Sequence, residues 1–389
     1  MTPWLPRLLD LDTRIRPKRA TILYGPRRVG KTSLVEHWLA ASPARKTLRA
    51  SGDDAGIRAL LSSQDSQRLL AWTQGYDTLF LNEAQRVPEV GWGLKILVDA
   101  RADLTIVATG SASFASAGAV GEPLTGRQTP LPLYPISAAE LPLNDHELTQ
   151  ALPDLLVYGM YPEVRTATSD IQRRDILHEL TSSYLFKDIL DLERVKSAQV
   201  LIDLLTLIAL QVGSLVSINE LASTLGIDAK TVARYLDLLQ KAYVLFNLRG
   251  FSRNLRQEVT RTSKFYFYDT GVRNAVLNNF TPPPMRDDIG ALWENFLIME
   301  RIKARSYARE EARMYFWRSW QQQEIDLIED ADGRLAAFEF KWNPRKHAHC
   351  PAQFADAYPG SSFTTVSPTD WLNFARFNAS PTCETSRQT

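Results

Sequence analysis

The octapeptide Gly25-Pro26-Arg27-Arg28-Val29-Gly30-Lys31-Thr32 fits G-x-x-x-x-G-K-[ST] at every fixed position. Residues of these types at this spacing do phosphate chemistry. The glycines let backbone N–H groups turn toward a polyphosphate, the lysine brings a point charge to its terminal groups, and the hydroxyl ligates magnesium. The apolar run ATILY precedes the motif and a helix-like stretch follows from Ser33, the strand-to-helix context that the motif requires. Residues 25–33 are therefore the expected site for ATP and Mg²⁺, centred on Lys31 and Thr32. The alternative is a glycine turn with a surface lysine.

A polyphosphate hydrolase also needs a second strand that ends in a carboxylate. TLFLNEAQ offers Asn82 and Glu83 after four mostly apolar residues. Glu83 is placed to orient or deprotonate the attacking water. Asn82 takes the magnesium-side position, where its amide oxygen can accept from a metal-bound water but brings no negative charge. Nucleotide binding is thus better supported than fast hydrolysis. The run LTIVATGSAS ends in Thr109, Gly110 and Ser111, and Ser111 is the expected polar contact between Glu83 and a γ-phosphate, a simple turn being the alternative. LTGR sets Arg127 before another strand, where it could reach a neighbouring subunit's nucleotide as a finger in trans, or could be a surface arginine.

A second group of chemically capable residues lies near the carboxy terminus. EIDLIEDADGRLAAFEFKW has the anatomy of a PD-(D/E)xK hairpin, with Asp326 on its first strand and Glu339 and Lys341 on its second. Strand periodicity puts Glu339 and Lys341 on one face and Phe338, Phe340 and Trp342 on the other. Two facing carboxylates could hold a divalent metal with Lys341 beside the attacking water, and Glu294 on the preceding helix is a candidate fourth member. A cross-strand salt bridge on a solvated face is the alternative. His347, His349 and Cys350 lie close together, but without a second ligand pair they fit a polar loop better than zinc.

The elements that must position these residues change character along the chain. From Ala20 to about Leu133, strand-like and helix-like runs alternate, which predicts an α/β unit with a parallel sheet. The pattern then turns helical. Ser217-Ile-Asn-Glu220 is a capping-box signature, Gly226-Ile227-Asp228 turns the chain, and a second helix and the run YVLFNLRGF follow, together a winged helix-turn-helix pattern. Lys230 and Arg234 fall on the outward side of that second helix, and Arg249, Arg253 and Arg256 belong to a locally basic stretch after it. This suits nucleic-acid contacts, DNA favoured; a packing module with a solvated charged face is the alternative. The expected units are 1–136 (P-loop core), 137–199 (helical lid or connector), 200–262 (winged helix) and 263–389 (nuclease-like α/β unit).

Composition narrows the class further. With 45 Lys and Arg against 44 Asp and Glu in 389 residues, the formal charge is +1, which excludes a wholly basic nucleic-acid coat. Two cysteines, Cys350 and Cys383, argue against a disulfide framework and fit a reducing cytoplasm. The stretch from Val200 to Ile218 approaches membrane length but carries Asp203 and Gln211, so a buried helix is expected and no membrane partner.

In their order, GPRRVGKT, LFLNEAQR, ATGSAS, LTGR, LYPISAAE, YGMYPEV, FKDIL, KFYFYDTGV, WENFLIME and EIDLI with FEFKW make the chain resemble the prokaryotic AAA+ ATPases of the MNS clade. In that family a P-loop domain is fused to a carboxy-terminal domain of unknown function, thought to combine a winged helix with a restriction-endonuclease-like fold. The resemblance spans roughly residues 15 to 345 and implies nucleotide and magnesium binding by Lys31 and Thr32, hydrolysis by Glu83, a finger role for Arg127, and rings or filaments. Asn82 departs from the family's usual Asp. The expected function is an ATPase coupled to DNA through the appended units; the rival is a nucleotide-dependent switch that binds a protein partner and cuts nothing.

Overall fold

Alternate side chains of β1 (Ala20–Tyr24) enter different cores. Ile22 packs with Leu79, Leu81, Ile106 and Ala108, whereas Leu23 packs with Phe80 and Val107. A strand apolar on both faces belongs to a sheet covered on both sides. In the computed structural model, which describes residues 4–111, 123–184, 197–251 and 263–376, that sheet holds β1, β2 (Thr47–Ser51), β3 (Thr78–Asn82), β4 (Thr105–Thr109) and β5 (Gln128–Pro132). Its order is β2-β3-β4-β1-β5 and every pairing is parallel. Helices α1 (Lys31–Ala40), α2 (Ala55–Ser62), α3 (Ser66–Thr73) and α4 (Val90–Ala100) make the crossovers. Because β4 lies between β1 and β3, the segments that follow all three strands emerge side by side at one edge of the sheet.

The next stretch is helical, as expected: α5 (Asp145–Tyr158), α6 (Pro162–Thr166), α7 (Asp170–Glu179) and α8 (Ala198–Leu210). Asn144 starts α5 with a reciprocal capping box, its Oδ1 accepting from the Glu147 amide at 3.0 Å while Glu147 accepts from the Asn144 amide at 2.7 Å. Among the described residues no helix is long and apolar enough to cross a membrane.

Two helices around a three-residue turn follow, α9 (Ile218–Leu225) and α10 (Ala229–Lys241). Ser217 accepts from the Glu220 amide at 3.3 Å and Asp228 from the Thr231 amide at 2.9 Å, and Gly226 closes α9 at φ 65°. Ser217 and Asp228 hold these positions because each satisfies an amide that the first helical turn leaves free, and of the Ser217–Glu220 capping box the described bond is the one to Ser217.

A seven-stranded sheet then joins what the sequence divides at residue 262. Its order is β12-β11-β10-β9-β7-β8-β6, from β6 (Leu215–Val216), β7 (Leu245–Gly250), β8 (Ser263–Phe267), β9 (Arg313–Arg318), β10 (Glu324–Ala331), β11 (Arg334–Phe340) and β12 (Ser362–Val366). β8 pairs with β7 and β6, and β7 pairs in parallel with β9, so both expected units build one sheet. Helix α12 (Ile289–Ala308) packs across it, with α11 (Thr270–Val276) before it and α13 (Ala352–Ala357) and α14 (Trp371–Ala375) after. Past residue 360, β12 adds in parallel to β11, and Trp371 and Phe374 of α14 enter the core.

Candidate functional site

The phosphate-binding loop is assembled by close backbone approach. Gly25 has φ 146°, and a Cβ there would stand 2.1 Å from the Leu133 carbonyl oxygen. Gly30, at φ 90°, is the residue from which α1 starts. Only glycine meets both demands without strain. Val29 is fully buried in the core and anchors the loop from beneath, while Thr32 and Ser33 open the helix on its exposed side. The buried Lys31 side chain curls back, and its Nζ donates to the carbonyls of Gly25 at 2.9 Å and Pro26 at 2.6 Å.

Beside it, one amide oxygen gathers two hydroxyls. Asn82 Oδ1 accepts from Thr32 Oγ1 at 2.9 Å and from Thr109 Oγ1 at 2.7 Å. The residues following β1, β3 and β4 are thereby wired into one group, and Thr109 joins a site in which the sequence singled out only Ser111. Glu83 sits at φ 50°, and its Oε2 accepts from Gln85 Nε2 at 2.7 Å. The same Gln85 side chain accepts from the Ser111 amide at 3.2 Å, so Glu83 and Ser111 meet through an intermediary. Gln85 was missed because a glutamine three residues past a strand end carries no motif.

Arg28, at φ 61°, points away from the loop toward the helical region, bonding Glu179 at 3.0 and 3.1 Å and standing 3.3 Å from Glu163. Arg27 and Pro26 border a small cavity with Tyr161, Tyr243, Tyr268 and Asp269, where the P-loop meets the helical and carboxy-terminal regions. Arg127 pairs with Asp99 of α4 in its own chain at 2.5 Å, so a role in trans requires that it leave this partner.

Two of the carboxy-terminal carboxylates face each other across β10 and β11. Leu327 stands opposite Phe338, so the same antiparallel register sets Asp326 opposite Glu339 on one face of the sheet. Burial pushes the Asp326 carboxyl well above the usual carboxylate range, with the Glu294 and Glu339 charges adding to it. Burial also raises the Glu294 carboxyl, against the opposing pull of Lys264. Lys341 Nζ lies 2.6 Å from Glu339 Oε1, and the Phe340 amide donates to Asp326 Oδ2 at 2.8 Å. Lys264 of β8, absent from the sequence-based set, pairs with Glu294 at 3.2 Å and with Glu324. Among the described residues no three carboxylates, imidazoles or thiols are arranged to hold a metal ion, the segment with His347, His349 and Cys350 included.

Of the basic residues, Lys230 and Arg234 are exposed one turn apart on α10, and Arg249 is exposed on β7. Arg253 and Arg256 lie outside the described residues. Trp317 packs on Phe354, whereas Trp320, in the β9–β10 turn, is fully exposed.

Residues 17–142 match the family profile described as AAA domain. Residues 149–282 and 289–370 match two domains of unknown function, DUF8612 and DUF4143. An uncharacterized protein of Mycobacterium tuberculosis is 28% identical over 339 residues, which cover 85% of this chain and 73% of that one. An uncharacterized protein of Methanocaldococcus jannaschii is 21% identical over 339 residues, 82% and 74% of the two chains. A solved structure, Drosophila ORC bound to DNA, aligns over 64% of this chain and 87% of its own at 11% identity and a TM-score of 0.22, too low to carry an argument. The chain therefore carries a P-loop AAA-type ATPase domain fused to a separate carboxy-terminal domain.

Proposed function

We propose that the chain binds ATP with Mg²⁺ and hydrolyses it slowly to moderately, coupling turnover to contact with nucleic acid, DNA in preference. The observation that carries this reading is the pair of hydrogen bonds from Thr32 and Thr109 to Asn82 Oδ1, adjacent to Lys31. A phosphate fits beside Lys31, whose Nζ now bonds the Gly25 and Pro26 carbonyls, because an ammonium exchanges neutral acceptors for charged ones at a gain. Thr32 and Asn82 would hold the metal, which supplies positive charge for the leaving phosphates. Glu83, released from Gln85, takes the proton of the attacking water, and Ser111 keeps the strand end against the terminal phosphate. Asn82 brings dipole but no charge, which is why slow turnover fits better than fast.

In this reading residues 1–136 are the P-loop core, 137–199 a lid, and 200–262 and 263–389 the winged-helix and nuclease-like parts that share one sheet. Lys230 and Arg234 on α10, with Arg249 on β7 and with Arg253 and Arg256, meet the nucleic-acid backbone and bases. Subunits join in a ring or filament in which Arg127 exchanges Asp99 for a neighbour's nucleotide. The carboxy-terminal unit binds and does not cleave, since its carboxylates are already bonded to protein donors.

The test is ATP turnover with and without duplex, single-stranded and branched DNA, in wild type, Lys31→Ala and Lys230→Ala/Arg234→Ala. One DNA form should stimulate wild type, the α10 double variant should lose the stimulation while keeping basal turnover, and Lys31→Ala should be inactive throughout. If no DNA form alters the rate, the protein-partner switch replaces this reading; the fully exposed Trp320 already offers it a contact.

A further inference from the structure

The carboxylate cluster of the carboxy-terminal sheet is a place where the usual expectation is a metal ion. Glu294 comes from α12, Glu324 and Asp326 from β10, and Glu339 from β11. Lys264 reaches it from β8, the strand that pairs with β6 and β7. Its side chain is 1% exposed, stands 3.2 Å from Glu294 Oε1, contacts Glu324, and lies 5.4 Å from the centre of the Phe316 ring. We infer that the Lys264 ammonium is the resident cation of this cluster and takes the place that a divalent metal would need, so that the site stands without metal.

Three further features support the inference. First, one oxygen of each of these carboxylates already has a donor: Tyr266 donates its hydroxyl to Glu294 Oε1 at 2.5 Å, Lys341 pairs with Glu339 Oε1, and the Phe340 amide bonds Asp326 Oδ2. A metal needs several oxygens whose lone pairs converge on one point, and these converge on different N–H and O–H groups. Second, the cluster is closed over by backbone. A Cβ on Gly213, which has φ 77°, would come within 3.1 Å of Glu294 Oε2, which leaves no room on that side for a hydrated ion. Third, a lone buried ammonium is costly, and such a residue persists only where carboxylates offset its desolvation. Here they do: the pull of Glu294, Glu324 and Asp326 outweighs burial and holds Lys264 above the ordinary lysine range. Lysine and carboxylates thus stabilise one another.

Mn²⁺ binding to the full, nucleotide-free chain tests this by calorimetry and electron paramagnetic resonance, in wild type, Lys264→Met and Lys264→Met/Asp326→Asn. Wild type should show no site that depends on Asp326, and its melting temperature should be the same in EDTA and in Mn²⁺. Lys264→Met should gain one Mn²⁺ site per chain and a melting temperature that rises with Mn²⁺, both lost again in the double variant. An Asp326-dependent Mn²⁺ site in wild type would overturn the inference. So would a folded Lys264→Met, judged by circular dichroism, that gains no site. Should Lys264→Met fail to fold, the wild-type comparison with Asp326→Asn decides: a Mn²⁺-induced rise in melting temperature present in wild type and absent in Asp326→Asn overturns the inference, and no rise in either upholds it.

Discussion

A single atom, Asn82 Oδ1, is the meeting point of two hydroxyls and the amide end of β3. Asn82→Asp restores a charge beside the Thr32 hydroxyl and should raise turnover or tighten Mg²⁺ dependence, measured as steady-state rate against Mg²⁺. Lys31→Ala should lose most nucleotide affinity; equal affinities by calorimetry would sink the P-loop assignment. Glu83→Gln should bind ATP normally and lose about 10²–10⁴ in turnover, the range for removing a general base. Gln85→Ala frees Glu83 from its present partner and should change kcat with little change in KM; an unchanged kcat removes Gln85 from the site. At this scale the sequence was legible where chemistry is written in a motif, as in Lys31 and Thr32. It gave no such roles to Thr109, Gln85 and Lys264, because these come from contacts 27, 26 and 30 residues away along the chain, and Lys264, which the sequence counts in the basic stretch, is buried.

Elements in this molecule are joined by polar side chains that reach across and cap one another. Asp269 starts α11 by accepting from the Val272 amide at 3.0 Å, and its other oxygen accepts from the Met160 amide at 2.6 Å. Gly159, at φ 71°, makes room for it: a Cβ there would stand 2.1 Å from Asp269 Oδ1. Gly159→Ala should therefore destabilise by about 1–3 kcal/mol, the range for overpacking, with a lower urea midpoint at unchanged m-value. Glu329 is buried between Arg301 and Arg305, which bond it at 2.7 and 2.8 Å; Glu329→Gln should cost about 3–5 kcal/mol by leaving both guanidiniums underpaired. Asp288 gives a pH signature. Burial alone would raise its carboxyl, but hydrogen bonds from Arg286 and Arg273 outweigh burial and hold it down to about 2. The folded value lies below the unfolded value of about 3.9, so the stabilisation is full above pH ~4 and fades as pH falls toward 2. Wild type should lose stability over that window and Asp288→Asn should lose less; parallel urea midpoints at pH 5 and 3 would refute it. The β10–β11 hairpin was legible, since Asp332 and Gly333 with φ 51° and 76° suit a two-residue turn. Strand β12 was not, because the run SFTTV gains its partner only from β11, whose nearest paired residue lies 26 positions earlier.

For the whole molecule, one sheet serves two stretches of chain that composition separates. The parallel pairing of β7 with β9 makes them a single structural unit. A chain ended at residue 262 should keep the P-loop sheet but lose protection of α9 and α10 from protease, because β6 and β7 then lack β8 and β9. A protease-resistant fragment containing both helices would show that they fold independently. The pairing also has a consequence during synthesis. Residue 250 leaves the ribosome before residue 318 does, a lag of roughly 3–14 s at about 5–20 residues per second. For that interval the β7 edge has no neighbour on its β9 side, an open template for other nascent chains. Rare-codon substitution between these positions should lengthen the lag and lower soluble yield, while a matching change after residue 340 should leave it unaltered.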